Sequence, residues 1–288
     1  MKLTSPTQVK KWCIENGFHP NKTLGQNFLV DLNILNIIAD AAGISAGERV
    51  LEIGPGLGVL TEALLRRGAR VTAVEKDGRL AARLYEALGA PPALKVIEAD
   101  ALSLDLDGFL AAGFDAVVSN LPYSVGTRIL LDLAMHPAAP RRFVVLVQSE
   151  VADRFRAGPG AEARSQSGVW LQLDYEVSVV REVKASCFWP KPEVGSAVVC
   201  LERRANALSP SERRWFFDLT RHAFMHRRKQ LGSLLRKAPQ LSGCAEERLA
   251  GMLAEAGIDP RDRPERLTGA QWQVLARVFA RSGGTEKR

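Results

Sequence analysis

The sequence has few cysteines, and their spacing indicates neither a bound metal nor a disulfide framework. Cys13, Cys187, Cys200 and Cys244 stand far apart in a chain of 288 residues, with no C-x-x-C pair and no histidine at ligand spacing. We therefore expect no zinc site and no disulfide-stabilised secreted fold. This cysteine usage favours a reducing, cytoplasmic compartment.

Long apolar runs are also missing. The first residues, MKLTSPTQVKKW, lack the apolar stretch of a signal peptide, and no later run reaches the roughly 18 apolar residues that a membrane span needs. No internal repeat or low-complexity tract occurs, and 46% of the residues are hydrophobic. The composition predicts one large domain plus a small one, with no membrane partner.

The charge of the chain is unevenly distributed. Residues 181–288 contain 21 Lys and Arg against 12 Asp and Glu, whereas residues 1–180 contain 18 against 20. A local basic excess indicates an acidic partner, although a solvated surface would also carry such charge. No long basic amphipathic helix with aromatic anchors is visible, so the pattern favours a nucleic acid over a membrane.

Apolar segments rich in Val, Ile and Leu alternate with helical patterns through the first two thirds of the chain. This alternation predicts an α/β fold with a doubly wound parallel sheet. Two later strand-like runs have no helix between them, so we expect the sheet to end in antiparallel strands. The predicted strands are 49–53, 70–74, 94–97, 114–118, 142–147, 175–183 and 196–201, and the clearest helices are 59–67 and 78–88.

A domain boundary is expected near Arg203. Ser209, Pro210 and Glu212 have the spacing of a helix N-cap with a capping box, and the pattern from there to about Arg281 is helix and turn. The sequence therefore predicts one domain over residues 1–203 and a second, helical domain over residues 204–288.

A glycine-rich turn follows the first predicted strand, and acidic residues follow the next two. The turn at 52–58 reads EIGPGLG, which is G-x-G-x-G and not the G-x-G-x-x-G of dinucleotide folds. Gly54 and Gly56 would let the backbone approach a ligand beyond the carboxyl end of a strand. Glu75, 21 residues after Gly54, is placed to accept two ribose hydroxyls, and Asp100 to accept an adenine amino group.

The fourth predicted strand is followed by SNLPYS at residues 119–124. A simple turn would explain a proline beside an asparagine. The alternative is a site for an amino-bearing base, in which the Asn120 side-chain oxygen and the Leu121 carbonyl accept the hydrogens of a poorly nucleophilic nitrogen. Pro122 would stiffen that presentation, and Tyr123 would stack on the base.

These motifs together resemble the ribosomal RNA small-subunit adenine dimethyltransferase family. The resemblance covers about residues 20–280, and GIDP at 257–260 followed by RPE at 263–265 is similar to the C-terminal pattern of the bacterial small-subunit type. The motifs that carry it are GQNFL at 25–29, EIGPGLG at 52–58, NLPY at 120–123, CFWPKP at 187–192 and RRK at 227–229.

The resemblance implies a Rossmann-like class I S-adenosylmethionine-dependent methyltransferase sheet with a small all-α C-terminal domain. The reaction would add two methyl groups to N6 of each of two adjacent adenines near the 3′ end of small-subunit rRNA, without a metal. The implied partner is that rRNA or the immature 30S particle, and the implied state is a monomer. Implied donor-binding residues are Asn27, Leu29, Gly54, Gly56, Glu75, Asp100 and Asn120.

The same resemblance assigns roles on the RNA side. Catalytic roles fall on the Asn120, Leu121, Pro122 and Tyr123 segment, while Phe28 is expected to pack rather than to react. Its substrate-binding residues would include Tyr123 and Phe188. The local basic excess adds Arg221, Arg227, Arg228 and Lys229, and helical spacing predicts Arg214, Arg221, Arg228 and Lys229 near one face of a helix.

Several positions depart from the family pattern, and they concern the RNA-facing side. They are Ser124, Gly126, Arg164, Ser165, Gly195 and Ser233. Three alternatives stay open: a large-subunit rRNA methylase of the resistance type, a DNA adenine methylase, or a non-catalytic RNA-binding assembly factor on the same fold. DNA adenine methylases usually have proline where this chain has Leu121.

Overall fold

The structure is a computed structural model that describes residues 3–21, 25–205, 208–241 and 244–283. The chain forms two compact units. One comprises residues 1–152 and 176–203, and the other comprises residues 153–175 and 204–288. No helix in the described part is long and apolar enough to span a membrane.

The first unit is built around a seven-stranded sheet with the strand order β4-β3-β2-β5-β6-β9-β7. The strands β2 to β6 run parallel, and β9 pairs antiparallel with β6. A separate antiparallel pair joins β1 to β8. The strands are β1 Phe28–Leu29, β2 Arg49–Ile53, β3 Arg70–Glu75, β4 Leu94–Glu98, β5 Ala116–Asn120, β6 Arg142–Gln148, β7 Tyr175–Val183, β8 Phe188–Trp189 and β9 Ser196–Arg203.

Helices connect these strands, as the alternation in the sequence predicted. Their apolar faces pack on β2, β3, β5 and β6, whose apolar side chains are almost fully buried. Asp31 caps α2, since its Oδ1 accepts the Ile34 amide at 3.0 Å. The helices are α1 Pro6–Glu15, α2 Leu32–Ala41, α3 Val59–Arg66, α4 Gly78–Ala87, α5 Leu106–Ala111, α6 Gly126–Ala134 and α7 Ser149–Arg156.

The described residues 204–283 of the second unit contain helices and turns. Ser209 forms the expected capping box, because its Oγ accepts the Glu212 amide and its own amide donates to the Glu212 carboxylate. The core is closed by α9 and α12, with Phe216, Trp272 and Phe279 buried between helices. The helices are α8 Gln166–Asp174, α9 Pro210–Met225, α10 Leu231–Leu235, α11 Glu246–Glu255 and α12 Gly269–Gly283.

Residues 153–175, which the sequence division placed in the first domain, lie in the second unit. Side-chain bonds to α9 explain this placement. Asp174 accepts two parallel hydrogen bonds from Arg213, at 2.7 and 2.6 Å, and Trp170 donates its indole N–H to Thr220 at 2.9 Å. Sequence periodicity cannot reveal contacts between segments about 40 residues apart.

The predicted strands and the two clearest helices are present with small shifts. The largest shift is in β5, which runs from Ala116 to Asn120 and not from 114 to 118. Its pairing with β6 continues to Asn120, opposite Leu146. The strand therefore carries the SN of SNLPYS to the end of the sheet.

Candidate active site

One pocket lies at the carboxyl ends of β2, β3 and β5, where ligands bind in open α/β sheets. Strand order reverses there, since β3 and β5 flank β2 on opposite sides. Every donor-binding or catalytic residue predicted from the sequence lines this pocket. These are Asn27, Leu29, Gly54, Gly56, Glu75, Asp100, Asn120, Leu121, Pro122 and Tyr123.

The glycine-rich turn after β2 gives the pocket a floor made of backbone. Gly54 and Gly56 have φ values of 66° and 58°, in the left-handed region that favours glycine. A Cβ on Gly54 would lie 3.3 Å from the Pro122 side chain, and one on Gly56 would lie 3.0 Å from the Phe28 ring. Side chains at these two positions would therefore crowd Pro122 and Phe28 at the wall of the pocket.

Glu75 ends β3 with a buried carboxylate that the backbone holds in place. Its Oε2 accepts the Gly56 amide at 3.1 Å, and its Oε1 accepts the Asp77 amide at 2.9 Å. Burial raises the pKa of Glu75, while these hydrogen bonds oppose the rise. Each oxygen retains further acceptor capacity toward the pocket.

Glu52, which the sequence did not assign a role, lies beneath the same turn. It is almost fully buried in β2, and its Oε2 accepts the Thr61 hydroxyl of α3 at 2.7 Å. Burial raises the pKa of Glu52 to about 8, with the nearby Glu75 adding to the rise and Thr61 opposing it. A carboxyl group held neutral at pH 7 therefore supports the turn without adding a second charge beside Glu75.

Asp100 follows β4 at the edge of the pocket and is already engaged by a cation. Its Oδ2 accepts Lys76 Nζ at 2.8 Å, and its Oδ1 accepts the Leu102 amide at 3.0 Å. The bond from Lys76 is the main cause of the lowered pKa of Asp100. Lys76 thus becomes a further pocket residue that the sequence pattern did not single out.

Asn120 at the end of β5 has two side-chain atoms with different environments. Its Nδ2 donates to the Asn27 main-chain oxygen at 3.0 Å, which fixes the orientation of the amide. Its Oδ1 is buried and has no hydrogen-bond partner among the residues that the structure describes. A buried acceptor without a partner costs free energy unless a ligand donates a hydrogen bond to it. Oδ1 therefore marks a position in the pocket where a ligand N–H or O–H group could bind.

Ser119, which precedes Asn120, links β5 to β2 at the point where the two strands separate. The backbone register between these strands ends at Leu51 opposite Val117. Beyond it, the fully buried Ser119 hydroxyl accepts the Ile53 amide at 2.6 Å. A side chain thus replaces the backbone partner of Ile53, and the two strand ends diverge around the pocket.

Tyr123 is held by contacts that the sequence did not predict. Its hydroxyl is 2.5 Å from the Oγ of Ser196, a buried residue at the start of β9. Phe188 meets its ring edge to face at a centroid distance of 6.3 Å. Burial raises the pKa of Tyr123. The ring is therefore fixed before any base could stack on it.

The segment around β1 closes one side of the pocket. Leu29 pairs with Phe188 across the β1–β8 ladder, and both side chains are buried. Gln26 Nε2 donates to Asp77 at 3.4 Å, which ties the segment to the start of α4. Phe28 packs among the aromatic residues that follow α1, in agreement with a packing role.

The predicted RNA-binding residues have different surroundings within the second unit. Arg221 lies 5.5 Å from the centroid of the Trp170 ring, a cation–π distance. Arg227 donates to the main-chain oxygens of Glu162 and Arg164, at 3.0 and 3.1 Å, so it braces a loop. Arg228 and Lys229 are exposed and form no ion pair with any described residue.

The helical face expected to combine Arg214 and Arg221 with Arg228 and Lys229 does not form as predicted. Helix α9 ends at Met225, so RRK at 227–229 lies in the following turn. That turn is closed by a hydrogen bond from the Lys229 amide to the His226 carbonyl at 2.8 Å.

Two departures from the family pattern have a local physical reason. A Cβ on Gly126 would lie 2.9 Å from the Leu121 Cβ, so glycine allows α6 to begin directly after the NLPY turn. Arg164 is buried, and its guanidinium donates to the Ala157 carbonyl and to Gln172. Nothing in the structure explains Ser233.

Comparison with known proteins identifies the family. The model of the family described as ribosomal RNA adenine dimethylase matches residues 17–280. The chain belongs to this family. The sequence-based expectation of an rRNA adenine dimethyltransferase with a class I methyltransferase fold is thereby confirmed.

Three relatives that align over almost their whole length bear the same name. Proteins named "Ribosomal RNA small subunit methyltransferase A" are 39% identical in Geobacillus thermodenitrificans, 40% in Opitutus terrae and 42% in Phenylobacterium zucineum. Each alignment covers 96% of this chain, and 97%, 98% and 94% of the respective relative.

Two solved structures share the fold. A dimethyladenosine transferase from Plasmodium falciparum has a TM-score of 0.75 at 23% identity, over 88% of this chain and 97% of that one. The 23S rRNA methyltransferase ErmE has a TM-score of 0.66 at 29% identity, over 88% of this chain and 99% of its own.

Proposed function

We propose that the protein transfers methyl groups from S-adenosylmethionine to N6 of two adjacent adenines near the 3′ end of small-subunit rRNA. The observation that carries the proposal is the Asn120 amide. Its nitrogen is fixed by Asn27, and its oxygen is buried in the pocket at the strand ends without a partner among the described residues. That oxygen has the position and chemistry to accept a hydrogen from an exocyclic amino group.

The pocket residues fit an S-adenosylmethionine donor, which supplies an electrophilic methyl group on a sulfonium. Glu75 would accept the ribose hydroxyls with the acceptor capacity that its two backbone bonds leave. Asp100 would accept the adenine amino group while Lys76 holds its other oxygen. Asn27, Leu29, Gly54, Gly56 and Asn120 would complete the donor site.

The segment from Asn120 to Tyr123 would hold the target base. An exocyclic adenine nitrogen is a poor nucleophile because its lone pair is delocalised into the ring. Acceptance of its hydrogens by Asn120 Oδ1 and the Leu121 carbonyl would favour the pyramidal form that reacts. Pro122 would stiffen the turn, and Tyr123 would stack on a flipped-out base with its ring held by Ser196 and Phe188.

The second unit would contribute cationic contacts to the RNA. Arg228 and Lys229 are exposed and free to meet phosphates, and Arg221 presents its guanidinium beside Trp170. Arg227 would act indirectly, by bracing the 162–164 loop. This division separates the RNA-binding role from donor binding.

A small-subunit target is favoured over the large-subunit alternative. The relatives named for the small subunit reach 42% identity over almost the whole chain, whereas the 23S rRNA methyltransferase ErmE is 29% identical. The substrate would be the rRNA itself or the immature 30S particle, in the cytoplasm. We propose that the protein acts as a monomer.

The test is the variant Asn120→Ala in a single-turnover methylation assay with unmethylated small-subunit rRNA or particles. Loss of one preorganised transition-state contact should lower the rate by about 10²–10³, with RNA affinity hardly changed. Mass-spectrometric mapping of the methylated adenines in the wild-type reaction identifies the target. A near-normal rate for the variant would contradict this role of Asn120 and would indicate that SNLPYS is a simple turn.

A further inference from the structure

A second concave surface lies at the amino edge of the same sheet, where β2, β3 and β4 begin. It is a groove of about 530 Å³ whose walls include Arg49, Arg70, Lys95, Pro92 and Phe114. The donor pocket lies at the opposite ends of these strands. Five residues of strand separate the two places, a distance of about 17 Å.

The strand register brings the three cations of this groove together. Arg49 on β2 is paired with Arg70 on β3, and Thr72 on β3 is paired with Lys95 on β4. Arg70 and Thr72 point to the same face because side chains alternate along a strand. Arg49, Arg70 and Lys95, the "amino-edge cations", therefore line one side of the sheet on three successive strands.

Arg49 is held in place before any ligand arrives. Its guanidinium donates to the main-chain oxygen of Ala112, in the turn before β5. Gly113 makes room for it, since a Cβ on Gly113 would lie 2.7 Å from Arg49 Nη2. Its φ of 73° also favours glycine. One cation of the groove is thus preorganised.

The amino-edge cations are not neutralised by the protein. None of the three forms an ion pair with a described residue, and all are exposed. Of the neighbouring carboxylates, Glu48 pairs with Arg141 and accepts the Ser45 amide, and Asp115 accepts the main-chain amide of Arg49 at 2.7 Å rather than its guanidinium. Three like charges in one concavity favour an anionic ligand.

We propose that this groove binds rRNA phosphates at a distance from the donor pocket. The proposal rests on the proposed function, because an rRNA substrate supplies extended phosphate chains that a small anion does not. RNA that contacts both places must extend well beyond the target adenines. The groove therefore adds more affinity for a long RNA or an assembled subunit than for a hairpin too short to reach both places.

The test compares Arg70→Gln/Lys95→Gln with the control Lys10→Gln/Arg181→Gln. Both remove two exposed, unpaired cations of the first unit, and Arg49 is kept because it bonds to the Ala112 turn. Two RNAs are used: unmethylated small subunits and a short hairpin with the target adenines. Binding is measured without donor across a range of salt concentrations.

Each phosphate contact contributes roughly 0.7–0.9 to the slope of log affinity against log salt. The groove variant should therefore bind small subunits more weakly and flatten that slope by about 1.4–1.8 relative to the control. Hairpin binding should differ less between the two variants than small-subunit binding does. Equal slopes for groove and control variants on small subunits would overturn the proposal. Methylation by the wild type is scored separately, so failure of the proposed function would be visible independently of these slopes.

Discussion

Glu75 and Glu52 are buried carboxyl groups on neighbouring strands, and we expect them to have different roles. Glu75 is expected to bind the donor. Glu75→Ala should weaken S-adenosylmethionine binding by about 1–3 kcal/mol, the usual cost of leaving buried polar partners unpaired. The matched control is Glu98→Ala, because Glu98 is opposite Glu75 in the β3–β4 register but is exposed and outside the pocket. Calorimetry that gave equal donor affinities for both variants would count against the ribose-binding role.

For Glu52 we predict an effect on how the stability of the protein depends on pH. Its folded pKa of about 8 is above the ordinary value of 4.5, so the folded state keeps a proton that the unfolded state releases between these values. The free energy of unfolding should therefore fall as pH rises from about 5 to 8, by up to about 1.4 kcal/mol per unit. Glu52→Gln retains an acceptor for Thr61 and should remove this fall.

Urea unfolding at several pH values checks the Glu52 prediction. The wild type should lose stability relative to Glu52→Gln across pH 5–8, and the two should run parallel below about pH 4.5. A constant difference between the two proteins over the whole range would show that the buried carboxyl does not titrate as described.

At the scale of secondary-structure elements, Ser119 connects β2 to β5. Its hydroxyl takes the place of a backbone acceptor at the point where the two strands separate. Ser119→Ala would leave the buried Ile53 amide without a partner and should lower the free energy of unfolding by about 1–3 kcal/mol. Donor affinity should fall as well, since Gly54 and Asn120 lie directly beyond this bond.

Val118→Ala is the matched control for Ser119. Val118 is the preceding residue of β5 and is fully buried, so its truncation lowers stability through a cavity and leaves the Ile53 bond intact. Donor affinity, measured by calorimetry at a temperature where both variants are folded, should fall for Ser119→Ala only. Equal loss in both would assign Ser119 to general stability.

At the scale of the whole molecule, the basic excess of the second unit should act on RNA and not on the donor. Arg228→Gln/Lys229→Gln should weaken binding to many RNA sequences alike and flatten the salt slope by about 1.4–1.8. The control is Arg236→Gln/Arg281→Gln, which removes the same charge from residues already paired with Glu246 and Glu255.

Filter binding over a range of salt concentrations measures both double variants, with donor affinity determined in parallel. The control should change the slope less, because its cations are paired within the protein and release fewer counterions. Arg228 and Lys229 would be surface charge alone if both variants gave the same slope.

The sequence by itself determined the order of strands and helices and the chemistry at the strand ends. Apolar runs alternating with helical periods fix a parallel α/β sheet, and the carboxyl ends of such strands must meet at one edge. Gly54, Glu75, Asp100 and Asn120 could therefore be assigned to one pocket before any coordinates. The family motifs then identified that pocket as one for an adenine methyltransferase.

Only the tertiary structure decided which atoms of these residues are occupied and which are free. The Asn120 side-chain nitrogen donates to the Asn27 main-chain oxygen, and the Tyr123 hydroxyl is hydrogen-bonded to Ser196. Lys76 donates to one oxygen of Asp100. The amino-edge cations likewise converge through strand register. The Asn120–Asn27 and Tyr123–Ser196 pairs join positions more than 70 residues apart, and local periodicity carries no information about partners at that separation. Hydrogen bonding in three dimensions therefore shows that Asn120 Oδ1, on a residue that lines the pocket, is a buried acceptor with no partner among the described residues.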